Sequence, residues 1–245
     1  GLDIAGLPLV ISHGLASDAD IHTHRIGRTG RAGQAGRALA LGSIDAPAAS
    51  VALKAGTTVS DGDNDDAAPQ VDVRALAVSV QTGTDAGTAL ERIDLAAGTL
   101  ALRTTAGSAF VNESDGLAVA AFAVPIQRIL ADGTSQAHPD SSTVFDGLLL
   151  QGTALQGNLV LALAAGDLTL GGQGLQASGT AELRAVGAVL DGDLGSDSVD
   201  ITATTLTVFA SNLGTSASRL ETSLVSLTAT VGTGGAHLVE TDALL

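Results

Sequence analysis

Short apolar steps, two aliphatic residues separated by one other, dominate this chain from Val71 onward. They include Val71-Asp72-Val73, Leu100-Ala101-Leu102, Leu159-Val160-Leu161, Leu168-Thr169-Leu170 and Leu206-Thr207-Val208. A spacing of two puts both aliphatic side chains on one face of an extended chain and the middle residue on the other. Gly, Asn, Asp, Ser and Thr fill the intervals, and these are turn formers. Between residues 148 and 190 the steps return after roughly six to nine residues, the spacing of an all-β sandwich, a barrel or a solenoid.

A longer repeat favours the solenoid. Thr99–Leu117 and Ser226–Leu244 align with Leu100, Gly107, Ala109, Glu113, Asp115 and Leu117 recurring 127 residues on as Leu227, Gly234, Ala236, Glu240, Asp242 and Leu244. Val71-Asp72-Val73 matches Val199-Asp200-Ile201 with a slip of one residue. Related units therefore lie near 71–117 and 199–244. Repeated units that share an acidic turn bury their faces against neighbours. The chain holds 4 Phe and neither Trp nor Tyr. A compact globule of this length draws on more large aromatics, each contributing roughly 1.5–3 kcal/mol when buried. Small aliphatic residues instead suit stacked layers of thin cross-section. The expectation for residues 51–245 is a mainly β, parallel β-helix or solenoid-like body. It should be elongated, with exposed ends prone to self-association.

The first 43 residues follow another grammar. Leu9-Val10-Ile11 reads as a strand. Ser17 and Asp20 mark the N-terminus of a helix over about 18–26, which Gly27 and Gly30 end. Arg37–Leu41 reads as a closing strand. Asp3, Asp18 and Asp20 stand against Arg25, Arg28, Arg31 and Arg37, a net charge of +1 in a chain of net −15. Residues 44–50, with Pro47, read as a junction. No Met occurs, and the chain begins at Gly1, so it reads as a piece of a longer product.

The run His24-Arg25-Ile26-Gly27-Arg28-Thr29-Gly30-Arg31-Ala32-Gly33, with Gly1-Leu2-Asp3-Ile4 before it, resembles the motif V to motif VI segment of DEAD-box ATP-dependent RNA helicases. The resemblance implies a small α/β fragment of a RecA-like second lobe. It gives Arg28 and Arg31 the role of arginine fingers at the ATP γ-phosphate, Asp3 the nucleotide ribose, and His24 the coupling of the two lobes. Two planar guanidinium forks three residues apart around a Gly-containing turn can serve one phosphoryl group. The pattern departs from the family at Ala16, Ala19 and His22. The larger departure is absence: no GxxxxGK[ST] loop and no acidic Mg²⁺-binding motif occurs in the sequence. ATP and Mg²⁺ are thus implied only with a missing lobe, and RNA likewise. The chain on its own is not expected to act as an enzyme.

Residues 51–245, through GDLTLGG, GNLVLAL and LAAGTLALRTTAG, resemble repeat regions of large bacterial surface proteins of the filamentous-haemagglutinin or adhesin type. That resemblance implies a right-handed parallel β-helix at the cell surface with no catalytic role. A helicase fragment would instead be cytoplasmic. A fusion of two unrelated genes near Ser43 is a third origin for this pairing.

Few other residues suggest chemistry. Asp61, Asp63 and Asp65 alternate, with Asp72 eleven beyond the first, as hard oxygen ligands for weak Ca²⁺ binding would. Against this, Asp66 stands where a calcium loop needs Gly, and Pro69 interrupts, so a solvated acidic turn is the plainer reading. Asp191, Asp193 and Asp197 are a weaker second group. His22 and His24 do not share a helical face, and His138 and His237 have no nucleophile signature near them. Without Cys there are no disulfides or thiolate metal sites. The acidic body, −16 beyond residue 43, repels nucleic acid. The longest uncharged apolar stretch, Gly116–Ile126, is well short of the ~20 residues of a spanning helix.

Overall fold

The computed structural model describes residues 38–62, 70–124, 127–137, 146–152, 157–193 and 198–242. Every regular element among them is a strand. The first are β1 (Leu39–Leu41), β2 (Ile44–Ala55), β3 (Val59–Asp61), β4 (Val73–Thr82), β5 (Ile93–Thr104), β6 (Ala109–Glu113) and β7 (Leu117–Val119). The hairpin strands β8 (Gln127–Ile129) and β9 (Ser135–Ala137) follow, paired antiparallel. Then come β10 (Leu148–Leu150), β11 (Leu159–Leu163), β12 (Leu168–Leu170), β13 (Leu175–Ala177), β14 (Thr180–Ala185) and β15 (Val189–Asp191). The last are β16 (Ile201–Leu213), β17 (Leu220–Ala236) and β18 (Leu238–Glu240).

Apart from the hairpin, the strand pairings are parallel, and most strands pair with strands of the layers before and after them, while β5 also pairs with β6 and β7. β5, β6 and β7 pair with β10, β11 and β12. Those pair with β13, β14 and β15. All three of the latter meet the single strand β16, which pairs with β17. On the other side β5 pairs with β4, and β4 with β2. The β8–β9 hairpin lies in sequence between the layer of β5–β7 and the layer of β10–β12.

The apolar steps explain this arrangement. Burial alternates along β6, β11 and β12, with the step residues inside. Leu102, Leu148, Leu175 and Ile201 are register partners in one column, and none is more than 1% exposed. Val111, Leu161, Leu183 and Val208 form a second such column. Each buried Leu contributes roughly 1.5–3 kcal/mol, and a slip of one residue would turn its strand's apolar set outward. Among the described residues one core cluster runs from Leu41 to Leu224 without Phe, so the shortage of aromatics is met by stacking rather than by bulk.

The layers are close enough to demand glycine at turns. Gly174 has φ 59°, and a Cβ there would run into the carbonyl of Asp200 in the following layer.

Two boundaries differ from the sequence reading. Residues 44–50, expected as a junction, lie within β2. Ile44, Val51 and Leu53 turn inward, and the register with β4 shifts between Ala46 and Ser50, around Pro47. A proline is tolerated where the ladder is already broken. The closing strand expected at Arg37–Leu41 is present as β1, but it pairs in parallel with β3 of the body, and Leu41 joins the common core. The strand expected at residues 9–11 and the helix expected at 18–26 lie outside the described residues. Among the described residues, no helix is long and apolar enough to cross a membrane.

Candidate cation sites and the carboxylate ladder

The acidic side chains have a local task that follows from the layering. Parallel layers joined by short turns leave turn N–H groups that need acceptors. Asp72 Oδ2 accepts from the Asp94 N–H at 2.8 Å, and Asp85 Oδ1 from Ser108 at 2.8 Å. Asp167 Oδ1 accepts from Ala188 at 2.7 Å, and Asp200 Oδ2 from Glu221 at 2.9 Å. Asn158 Oδ1 serves Thr180 in the same way at 2.8 Å. Donor and acceptor are 21 to 23 residues apart each time, about one layer. Hydrogen bonds to charged acceptors contribute roughly 1.5–3 kcal/mol, so this ladder helps to hold neighbouring layers in register.

Two members of the ladder lie in carboxylate clusters. Asp61 at the end of β3, Asp72 just before β4 and Asp94 in β5 bring one oxygen each to within 4.8 Å of one another. Asp72 is 1% exposed and Asp94 5%. Asn112 Nδ2 donates to Asp94 Oδ1 at 2.8 Å, and Arg92 holds that amide through its oxygen at 3.1 Å. The second cluster joins Asp191, Asp193 and Asp200 within the same limit. Asp191 accepts from Ser218 Oγ and from the Asp193 N–H.

The electrostatics differ within the second cluster. Burial pushes Asp200 up to about 7, against the hydrogen bond from Glu221 and with help from the charges of Asp191 and Asp193. Burial acts on Asp191 too, but its hydrogen bonds with Ser218 and Asp193 prevail and hold it below the ordinary carboxylate range. Two ionised carboxylates about 4.8 Å apart repel by roughly 3 kcal/mol at an effective dielectric of ~20. Oxygens that far apart can share one Ca²⁺, whose ligands sit at about 2.3–2.6 Å. Protonation and cation binding are the two chemical ways to relieve such a cluster.

Glu113 is a third kind of buried acid, 1% exposed. Both its oxygens accept from the Ala97 N–H at 3.2 Å, and Oε1 also accepts from Ser114 at 2.9 Å. Burial pushes it up to about 7 despite those bonds. Glu240, its counterpart 127 residues on, accepts from the Leu224 N–H at 3.0 Å, and Leu224 is the counterpart of Ala97.

Of the sequence-derived candidates, Asp61 enters the first cluster, joined there by Asp72 and Asp94. Asp63 and Asp65 lie outside the described residues. In the second group Asp191 and Asp193 are joined by Asp200, while Asp197 lies outside. Asp3, His24, Arg28 and Arg31 also lie outside. His237 contributes backbone bonds to Leu213 and Leu220. Asp94 and Asp200 were missed because each is the middle residue of an apolar step, which strict alternation turns outward. The signal for Asp200 was present in its match to Asp72. No family model, curated protein or solved structure matches this chain.

Proposed function

We propose that this chain is a non-catalytic structural module, a β-solenoid repeat region of a bacterial surface protein of the adhesin type, with residues 1–43 resembling a helicase fragment. The observation that supports this most is the aliphatic column Leu102–Leu148–Leu175–Ile201, carried by parallel strands of four layers. A body built so can lengthen by adding layers without a thicker core, which suits a spacer that holds a binding element away from a surface. Its excess of acidic residues keeps it soluble and away from nucleic acid. Small-angle scattering of dilute chain should give a rod-like particle, and a compact sphere would overturn the solenoid. Antibodies raised against the chain should label intact source cells, whereas labelling only after permeabilisation would overturn the surface role.

Weak Ca²⁺ binding, at about 10⁻⁴–10⁻³ M as in extracellular modules, belongs to this reading. Asp61 of the Asp61, Asp63 and Asp65 run is joined for it by Asp72 and Asp94, while Asp63 and Asp65 lie outside the described residues.

The second reading, a fragment of an ATP-dependent RNA helicase, rests on the motif around Arg28 and Arg31. It requires RNA-stimulated ATP hydrolysis that drops in Arg28→Ala. We expect the purified chain to show none, because the phosphate cradle is missing from the sequence.

A further inference from the structure

β6 ends on a glutamate at a position where its neighbours in the stack carry aliphatic residues. The register runs Ile44–Val73–Leu95–Glu113–Leu163–Ala185, through β2, β4, β5, β6, β11 and β14. Alternation along β6 turns Glu113 inward with Ala109 and Val111, so its carboxyl starts from a core position between Leu95 and Leu163. Its side chain bonds to the layer below and its backbone to the layer above. The carboxylate accepts from Ala97 in β5 at 3.2 Å, and the Glu113 carbonyl accepts from Ala164, just after β11, at 2.8 Å. One residue thus ties together three successive layers.

No cation answers this carboxyl. Its donors are the N–H groups of Ala97, Ser114 and Asp115 and the Ser114 hydroxyl. Asp115, in the same turn, adds a like charge. On β5, Asp94 stands opposite Asn112 and is bonded by it, and Arg103 stands opposite Leu149. β11 carries no charged residue, and Asp167 in the turn beyond it is occupied by the Ala188 N–H. A buried carboxylate without a cation is the costly form. The protonated acid removes the charge and keeps an acceptor for Ala97.

The joint above Glu113 also has an unusual covalent link. Residues 171–174 join β12 to β13, whereas residues 120–147, with the β8–β9 hairpin among them, join β7 to β10. A short turn limits how far two layers can part, and a long excursion does not.

We propose that Glu113 makes the joint between the layer of β5–β7 and the layer of β10–β12 a pH-controlled hinge, closed while its carboxyl holds a proton and opening to water when the proton leaves. Burial pushes Glu113 up to about 7 from an ordinary value of 4.5, which sets the working range near neutrality. Between those values the closed joint keeps the proton and the open joint releases it, so rising pH favours opening.

The test is hydrogen exchange of the full chain from pH 5 to pH 8, with rates corrected for the intrinsic pH dependence of exchange. Three amides bond across the joint: Ala109 to the Asn158 carbonyl, Leu117 to that of Asp167, and Ala164 to that of Glu113. Ser178, bonded to the Leu150 carbonyl across the next joint, is the reference. Opening at the three amides should rise about tenfold or more over this range, while Ser178 changes far less. Glu113→Gln should remove the rise, and so should Glu113→Leu, which completes the aliphatic column. Should the Gln variant fail to fold, the Leu variant still decides. Protection that stays flat with pH at the three amides would overturn the hinge. An equal rise at Ser178 would overturn it too, since that is opening of the whole stack. A rise that survives in the Leu variant would assign the effect to another acid.

Discussion

Residues 93–119 and 220–242 are two copies of one local design in different surroundings. Both open with a strand whose first three residues pair with the segment 18 residues on, and both close with a glutamate bonded back to the strand. The first copy is covered on both sides and buries Leu100, Ala101, Leu102 and Ala109. The second leaves Leu227, Thr228, Ala229 and Ala236 half-buried or exposed. The local bonds are therefore set by each unit's own sequence, and burial is set by the neighbour. Energetic differences between equivalent residues in the two copies measure what the neighbouring layer contributes.

The largest expected difference is in the aliphatic column. Leu102→Ala opens a cavity between Val80 and Leu148 and should cost about 2–5 kcal/mol in a denaturant melt. Ala229→Lys, at the counterpart position, should leave monomer stability within about 0.5 kcal/mol. Equal costs at both sites would break the comparison and mean that the outer layer is as covered as the inner one.

The glutamates should differ less. Glu113→Ala leaves the buried Ala97 N–H without its carboxylate and should cost about 1–3 kcal/mol. Glu240→Ala, where the acceptor is half-exposed and water can replace it, should cost less than half as much. A loss at Glu240 equal to that at Glu113 would show that solvent does not reach the outer turn.

The third expectation is a pH dependence carried by Glu113. Its folded value, about 7, lies above its ordinary value of 4.5. Between those values the folded chain binds more protons than the unfolded chain, so stability falls as pH rises. The chain should melt a few degrees higher, roughly 2–4 °C, at pH 5 than at pH 8; Glu113→Gln should reduce that slope, and Asp200, also pushed up to about 7 by burial, carries the remainder. Asp132 and Asp242, held below the ordinary range chiefly by hydrogen bonds with Thr134 and Glu240, lose their contribution only below about pH 4 and stay outside this window. A melting temperature that rises from pH 5 to pH 8 would show that Glu113 is ionised in the folded state.

The smallest effect concerns cations. Millimolar Ca²⁺ should give a weak calorimetric signal that disappears in Asp94→Asn, with a stabilisation of about 1 kcal/mol or less at concentrations near Kd. No heat, or heat unchanged by that substitution, would leave the cluster as a purely structural knot.

The strand content and its grouping were legible in the apolar steps, because period-two burial depends only on local sequence. The steps read at 159–161 and 168–170 fall within β11 and β12, and the 127-residue repeat marks residues that share hydrogen bonds. The cation clusters were legible in part: Asp61 with Asp72 and Asp191 with Asp193 stand out in the sequence, whereas Asp94 and Asp200 do not. The run Asp61, Asp63 and Asp65 follows sequence neighbours, whereas Asp61, Asp72 and Asp94 meet because their strands stack. Asp94 carries no local mark of this: as the middle residue of Ile93-Asp94-Leu95 it should face water.

Residue order by itself determined which side chains of a strand face inward, where turns fall, and that one unit recurs, since these follow from backbone geometry and side-chain type within a few residues. Only the tertiary structure decided which acids are buried and which are brought together. Those outcomes depend on the layer that lies across a strand about twenty residues away in sequence, and a carboxylate's solvation, partners and proton affinity follow from that neighbour rather than from its own position in the chain.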